Sequence, residues 1–158
     1  MPSTVYLLET SIISYLTGRA SRNVVITAHQ QLTRRWWDTQ RQQFELFVSP
    51  LVLQEAAAGN PTMAQRRLEM VRGLPVLAVT HEATTVAEQL VQSGPLPKKA
   101  EVDALHIGIA TVHGMEYVLT WNCKHIANAR MRSRIEAICR DLGYEPPIMC
   151  TPEELMEE

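Results

Sequence analysis

Three carboxylates and one amide occupy positions where predicted strands end or predicted helices begin. Glu9 directly follows a short apolar run near the N-terminus, and Glu55 lies about one turn into a helix after a second predicted strand. Asp103 lies in the first turn of the most apolar predicted helix, and Asn122 follows a later strand. Oxygen ligands of this kind suit Mg²⁺ and Mn²⁺, ions that activate water and stabilise a phosphoryl transition state. If the side chains converge, they predict metal-dependent chemistry on a phosphate ester. Taken singly, acids at helix N-termini are also favoured by the helix dipole alone.

The elements that must position these side chains alternate along the chain. The first apolar run is typical of a strand buried on both faces. The predicted strands cover residues 6–8, 44–49, 74–79, 117–120 and 148–150, and predicted helices connect them. This alternation predicts an α/β fold with a mostly parallel sheet and helices on both of its faces. Ligands bind such sheets at the carboxyl ends of the strands, which is where Glu9 lies.

Composition limits the class of protein. A chain of 158 residues with 46% hydrophobic and 20% charged residues is expected to form a single globular domain, residues 1–158. It has no apolar run long enough for a membrane span and no N-terminal signal pattern, so we expect no membrane association. Three cysteines without paired spacing favour the reducing cytoplasm. The net charge of −2 leaves any nucleic-acid binding to local basic residues.

Four segments carry a resemblance to a known family. They are VYLLETSIISYL, SPLVLQEAAAGN, EVDALHIGIAT and YVLTWNCKHIAN, and their order and spacing span nearly the whole chain. In these segments the chain resembles the PIN-domain family, in particular the VapC-like toxins of bacterial toxin–antitoxin pairs. The resemblance implies a three-layer α/β/α sandwich with a mostly parallel sheet of four to five strands. It also implies acids gathered at one sheet edge that bind Mg²⁺ or Mn²⁺ and cleave RNA.

The resemblance assigns roles to the four polar residues at the predicted edge. Glu9, Glu55 and Asp103 occupy the positions of metal ligands, and Asn122 occupies the position of the family's fourth acid. Two of these residues depart from the family pattern. The first position is usually Asp, and Glu9 is longer by one methylene group, whereas Mg²⁺ demands near-ideal octahedral geometry. Asn122 is neutral, although its amide oxygen can still orient a water molecule.

Two further residues are candidates for substrate contacts. By resemblance, Ser11 contacts a phosphate or a metal-bound water, and the alternative is that it caps the first helix. Lys124 lies beside Asn122 and can contact a phosphate oxygen as a point charge, and the alternative is a solvated surface lysine. Lys98 and Lys99 precede the Asp103 helix and either guide RNA or keep a loop soluble.

Other residues with chemical potential have simpler interpretations. Cys123 and His125 form one loose pair, whereas zinc sites usually show two close pairs of ligands, so we do not predict a zinc site. His106 lies on an apolar helix face, where a histidine satisfied by neighbours is the expected interpretation. The segment 34–37, Arg-Arg-Trp-Trp, can stack on RNA, anchor a partner protein, or simply bury a tryptophan in an amphipathic helix.

These observations lead to a metal-dependent endoribonuclease as the first hypothesis. The alternative is a PIN-fold module that binds RNA or protein with weak or no nuclease activity, because Glu9 and Asn122 depart from the family's acids. A phosphoryl-accepting receiver-like domain is a third hypothesis, and the absence of an acidic pair beside Glu9 argues against it. The resemblance further implies a homodimer, an RNA substrate and a small antitoxin partner.

Overall fold

The structure is a computed structural model that describes residues 2–7, 9–122 and 124–156, without the side chains of Glu9 and Thr10. Its strands and helices follow one another in the predicted order, except at residues 74–79. The strands are β1 Ser3–Leu7, β2 Phe44–Phe47, β3 Tyr117–Leu119 and β4 Ile148–Cys150. The helices are α1 Glu9–Thr17, α2 Val24–Gln40, α3 Pro50–Ala56, α4 Pro61–Met70, α5 His81–Gln92, α6 Glu101–Val112 and α7 Ala129–Asp141. Short 3₁₀ turns cover Arg41–Gln43 and Lys98–Ala100.

The four strands form one all-parallel sheet in the order β2-β1-β3-β4. Val5 of β1 is in register with Leu46 on one side and with Tyr117 on the other. Val5, Tyr6 and Leu7 are fully buried. This is the burial expected of a parallel strand covered on both faces, and it explains why the N-terminal apolar run lies near the centre of the sheet.

The strand predicted at residues 74–79 is wrong in extent. This segment contributes one parallel bridge, between Val48 and Val76, at the β2 edge of the sheet. Pro75 has no backbone N–H to donate to a ladder, and the side chains of Val76 and Val79 are about half exposed. An apolar composition alone could not reveal that the segment lies at an edge and leaves the sheet after one pairing.

Two groups of helices cover the sheet and complete the three-layer α/β/α fold. Helix α1 packs with α2, α3 and α4, whereas α5 packs with α6 and α7. In the described part of the chain, no helix combines the length and apolarity needed to cross a membrane. Helix α2 presents one interior stripe at helical spacing, made of Gln30, Thr33, Trp36, Trp37 and Gln40. The two tryptophans are therefore part of the protein interior, which confirms the simplest of their three interpretations.

The connections bring the predicted functional positions to one edge of the sheet. Strands β1, β2 and β3 lead directly into α1, α3 and residues 120–122 respectively. Helix α6 returns to the start of β3 through residues 113–116, so its first turn lies at the opposite end, beside the carboxyl ends of the strands. This topology carries the backbone of Glu9, together with Glu55, Asp103 and Asn122, toward the carboxyl edge.

Candidate active site

Glu55 is held by a histidine from another helix. Helix α3 begins at Pro50 behind the N-cap Ser49, whose side chain accepts a hydrogen bond from the Val52 N–H. Glu55 lies near the other end of this helix, and its Oε1 is 3.0 Å from Nε2 of His106. The imidazole is completely buried, whereas 23% of the Glu55 side chain is exposed. The carboxylate therefore lies at the boundary between the core and the solvent.

His106 is the satisfied core histidine that the sequence predicted, but its partners are more specific than expected. Its Nδ1 is 2.7 Å from the Tyr6 hydroxyl, which in turn is 2.7 Å from Oγ of Ser49. Ser49, Tyr6 and His106 are all fully buried. Burial raises the pKa of Tyr6 above its usual value, against a lowering from the Ser49 hydrogen bond, and the Glu55 carboxylate raises it further. The Tyr6 hydroxyl therefore stays protonated and donates a hydrogen bond to one of its two neighbours.

Asp103 is paired with a second histidine. Its Oδ2 lies 3.0 Å from Nδ1 of His125, and both side chains are mostly buried, with 15% and 13% exposed. Asn122 shapes the loop that presents this histidine, because its Oδ1 accepts the His125 N–H and its carbonyl accepts the N–H groups of Ile126 and Ala127. Asn122 therefore uses its amide oxygen to hold this turn. The resemblance gives the same oxygen the role of orienting a water molecule, and that role stays a prediction.

The two carboxylate–imidazole pairs are neighbours through α6. His106 follows Asp103 by three residues on this helix, so the two side chains are separated by one helical turn. Glu55, from α3, contacts α6 at His106. The structure thus links both acids to α6, Asp103 directly and Glu55 through His106, and it adds His106 and His125 to the candidate residues. Their partnerships span 51 and 22 residues of chain, and neither separation corresponds to a local spacing that could have revealed them.

Ser11 occupies a different place from the helix cap proposed for it. Helix α1 already includes Glu9, so Ser11 lies inside its first turn. Its Oγ accepts the backbone N–H of Trp121 at 3.4 Å, which ties α1 to the loop after β3. The helix-cap interpretation is wrong because the helix starts two residues earlier. The predicted contact with substrate stays a prediction.

Trp121 is a residue that the sequence argument left without a role. Its indole stacks on His29 with the centroids 3.9 Å apart and an angle of 11° between the rings. Its Nε1 donates to Oγ1 of Thr33 at 2.7 Å. Trp121 directly precedes Asn122, and that adjacency was the one available signal. The indole fixes the loop after β3 against α2.

Three exposed lysines lie close in sequence to the paired carboxylates. Lys98 and Lys99 form the turn immediately before α6, and Lys124 precedes the His125 that binds Asp103. All three belong to the exposed residues of the described chain. Lysine is a residue type that binds phosphate groups as a point charge.

Glu55 and Asp103 carry the oxygen ligands that a hard divalent cation prefers. Among the described side chains, no group of three His, Cys, Asp or Glu residues is arranged to hold a metal ion. The Glu9 side chain and Cys123 lie outside the described residues. Glu55 and Asp103 each use one oxygen on an imidazole, and within the described chain their second oxygens have no hydrogen-bond partner. Mg²⁺ commonly binds proteins through one or two carboxylates plus water and substrate phosphates, so this pair is compatible with it.

Comparison with known proteins supports the fold. No protein-family model and no curated protein matches the sequence. The chain is similar to one in the crystal structure of VapBC2 from Rickettsia felis bound to a DNA fragment from their promoter, with a TM-score of 0.58. The match covers 93% of this chain and 98% of that chain, at 16% sequence identity. A likeness at this identity is one of fold alone, and it confirms the three-layer architecture expected from the resemblance to VapC-like PIN domains.

Proposed function

We propose that this protein is a metal-dependent endoribonuclease of the VapC-like PIN type. One observation carries the proposal: at the carboxyl edge of a parallel sheet, two partly exposed carboxylates from different helices, Glu55 and Asp103, are each bonded to an imidazole. The imidazole that binds Glu55 belongs to His106, one turn of α6 after Asp103. Each carboxylate has one oxygen bonded to an imidazole, and its other oxygen would bind the ligand. The similarity of fold to the VapBC2 chain is consistent with the proposal.

The residues at this edge would have different roles. Glu55, Asp103 and, by its position after β1, Glu9 would hold Mg²⁺ or Mn²⁺. A bound ion would supply activation of water and neutralisation of charge on the scissile phosphodiester. Lys124, with Lys98 and Lys99, would bind phosphate groups of the RNA and orient the strand over the carboxylates. Ser11 would contact the substrate from α1.

The same proposal includes the setting of the protein. From the resemblance to VapC-like toxins, a small antitoxin would bind this chain, and a homodimer would be its assembly. RNA would be the substrate, and the cytoplasm would be the compartment in which the protein meets it.

The test is cleavage of a labelled single-stranded RNA and a labelled stem-loop by the purified protein, with Mn²⁺, with Mg²⁺ and with chelator. We expect cleavage only with a metal ion, and we expect Asp103→Asn and Glu55→Gln to reduce it to background. The matched control is Glu101→Gln, because Glu101 is an exposed acid in the same first turn of α6. Cleavage that persists in Asp103→Asn, or in chelator, would contradict the proposal.

The binding-module alternative is favoured by the two histidine partners. Since one oxygen of each carboxylate already accepts a hydrogen bond from an imidazole, both acids have a partner in the protein without an added ion. A protein that binds RNA equally well with and without metal, and that leaves the RNA intact, would favour this second function.

A further inference from the structure

A chain of hydrogen bonds runs from the core of the protein to Glu55. It links Ser49 Oγ to the Tyr6 hydroxyl, the Tyr6 hydroxyl to His106 Nδ1, and His106 Nε2 to Glu55 Oε1, with distances of 2.7, 2.7 and 3.0 Å. Its first three members come from three separate parts of the fold: the residue before α3, strand β1 and helix α6. All three are fully buried, and Glu55 is the one member that reaches solvent.

The hydrogens along this chain have one consistent arrangement when Glu55 is ionised and His106 is neutral. A carboxylate oxygen can only accept, so Nε2 of His106 carries the hydrogen and Nδ1 accepts. The Tyr6 hydroxyl then donates to Nδ1 and accepts from the Ser49 hydroxyl. Ser49 in turn accepts the Val52 N–H at the start of α3. Each side-chain donor in the series is used, and each donates to the next member in the direction of the Glu55 carboxylate.

Burying these hydrogen-bonded side chains costs free energy that apolar side chains filling the same space would not cost. Three buried polar side chains lose their hydration, and each must be matched by a partner of the correct geometry. Phenylalanine at position 6 and leucine at position 106 would fill a core of this kind without that requirement. Glu55 is the only member of this hydrogen-bonded series that faces solvent. The series therefore controls the orientation of the Glu55 carboxylate.

The backbone beneath Glu55 is held as well. Ser49 caps the first turn of α3, and the Arg67 guanidinium donates to the carbonyl oxygens of Ala56 and Ala58 just after Glu55. With both ends of a short helix held and one carboxylate oxygen bound by His106, Glu55 keeps little freedom. A carboxylate ordered in advance binds a ligand without losing that freedom on binding.

We propose that Ser49, Tyr6 and His106 are positioning residues that hold the Glu55 carboxylate in one orientation, with its second oxygen directed to the ligand of the site. This inference rests on the proposed metal site. It assigns a role to a buried tyrosine and serine for which neither the residue spacing nor the fold comparison provides one. Residues that orient a metal-binding side chain typically change affinity about 10- to 100-fold when they are replaced.

The test is calorimetric titration of Mn²⁺ into the wild-type protein, Tyr6→Phe and the control Tyr117→Phe. Tyr117 lies on the adjacent strand β3 and is partly buried. The control therefore also removes one tyrosine hydroxyl from a strand, away from Glu55. We expect Tyr6→Phe to weaken Mn²⁺ binding about 10-fold and Tyr117→Phe to leave it unchanged. His106→Gln, which keeps a donor for Glu55, should bind Mn²⁺ more tightly than His106→Leu. Thermal unfolding of each variant shows that it is folded during the titration.

Each outcome decides the inference. Equal Mn²⁺ affinity in folded Tyr6→Phe and wild type would overturn it, and so would equal affinity in the two His106 variants. If the wild type binds no Mn²⁺, the proposed metal site fails, and NMR order parameters of the Glu55 side chain then decide the positioning role separately. A Glu55 side chain that becomes mobile in Tyr6→Phe supports the role, whereas one that stays equally ordered overturns it.

Discussion

The Asp103 carboxylate lies 3.0 Å from the imidazole Nδ1 of His125, a residue 22 positions later in a different part of the fold. Helix α6 presents the acid and the loop after β3 presents the histidine. Asn122 fixes that loop by accepting the His125 N–H. The position of Asp103 in the site thus depends on a loop that follows the neighbouring strand.

Removing the imidazole should weaken the site without unfolding the protein. We expect His125→Ala to lower Mn²⁺ affinity about 10-fold, because Asp103 loses the partner that orients its carboxylate. His125→Asn should lose less, since its amide can donate from nearly the same place as Nδ1. Calorimetric titration measures both variants. The control is His81→Ala, an exposed histidine at the start of α5, and an equal loss there would contradict the role of His125.

The hydrogen bond between Trp121 and Thr33 should contribute measurably to stability. We expect Trp121→Phe to lower the free energy of unfolding by about 1 kcal/mol, because phenylalanine keeps a ring for the stack on His29 but loses the Nε1–H donor. A double-mutant cycle with Thr33→Val isolates the pair in urea denaturation. We expect a coupling energy of about 0.5–1.5 kcal/mol, and additive effects would show that the bond contributes nothing.

Local sequence signals predicted the elements better than their partners. Ser49 followed by Pro50 predicts a helix start that the structure contains. These signals act over a few residues, so they can be read directly from the chain. The segment 74–79 shows the limit, because its apolar residues satisfy a strand pattern while its position at the sheet edge depends on tertiary packing.

The candidate site divides in the same way. The position of Asp103 in the first turn of α6 follows from chain order, because a helix that returns to a parallel strand must begin at the carboxyl edge. The pairing of Glu55 with His106 does not follow from chain order, since it depends on how α3 and α6 approach each other across the fold. Tyr6 illustrates the point further: its place in an apolar strand predicts burial, but nothing local predicts its hydrogen bonds.

Gly108 should be essential for the packing of α6 against α5. An added Cβ would lie too close to the backbone carbonyl of Ala83, and it would stand 3.4 Å from the Ala87 nitrogen. We expect Gly108→Ala to destabilise the protein by about 1–3 kcal/mol, even though alanine favours a helix by about 1 kcal/mol over glycine. Urea denaturation measures the change. Ser133→Ala, at an exposed position of α7, should stay within about 0.5 kcal/mol of wild type.

Stability should fall in alkali through the thiol of Cys150 in β4. Burial raises its pKa from 9.0 to about 12, with a further increase from the Glu154 carboxylate and an opposing effect of Arg132. Above pH 9 the thiol ionises in the unfolded state but remains protonated in the folded state. Ionisation therefore stabilises the unfolded state relative to the folded state. The contribution is complete below pH 9 and declines as the pH rises toward 12. The stability advantage of wild type over Cys150→Ala should therefore shrink by up to about 1.4 kcal/mol per pH unit in this range. Urea denaturation of both proteins at pH 8, 9 and 10 measures it, and parallel pH dependences would show that burial does not perturb this thiol.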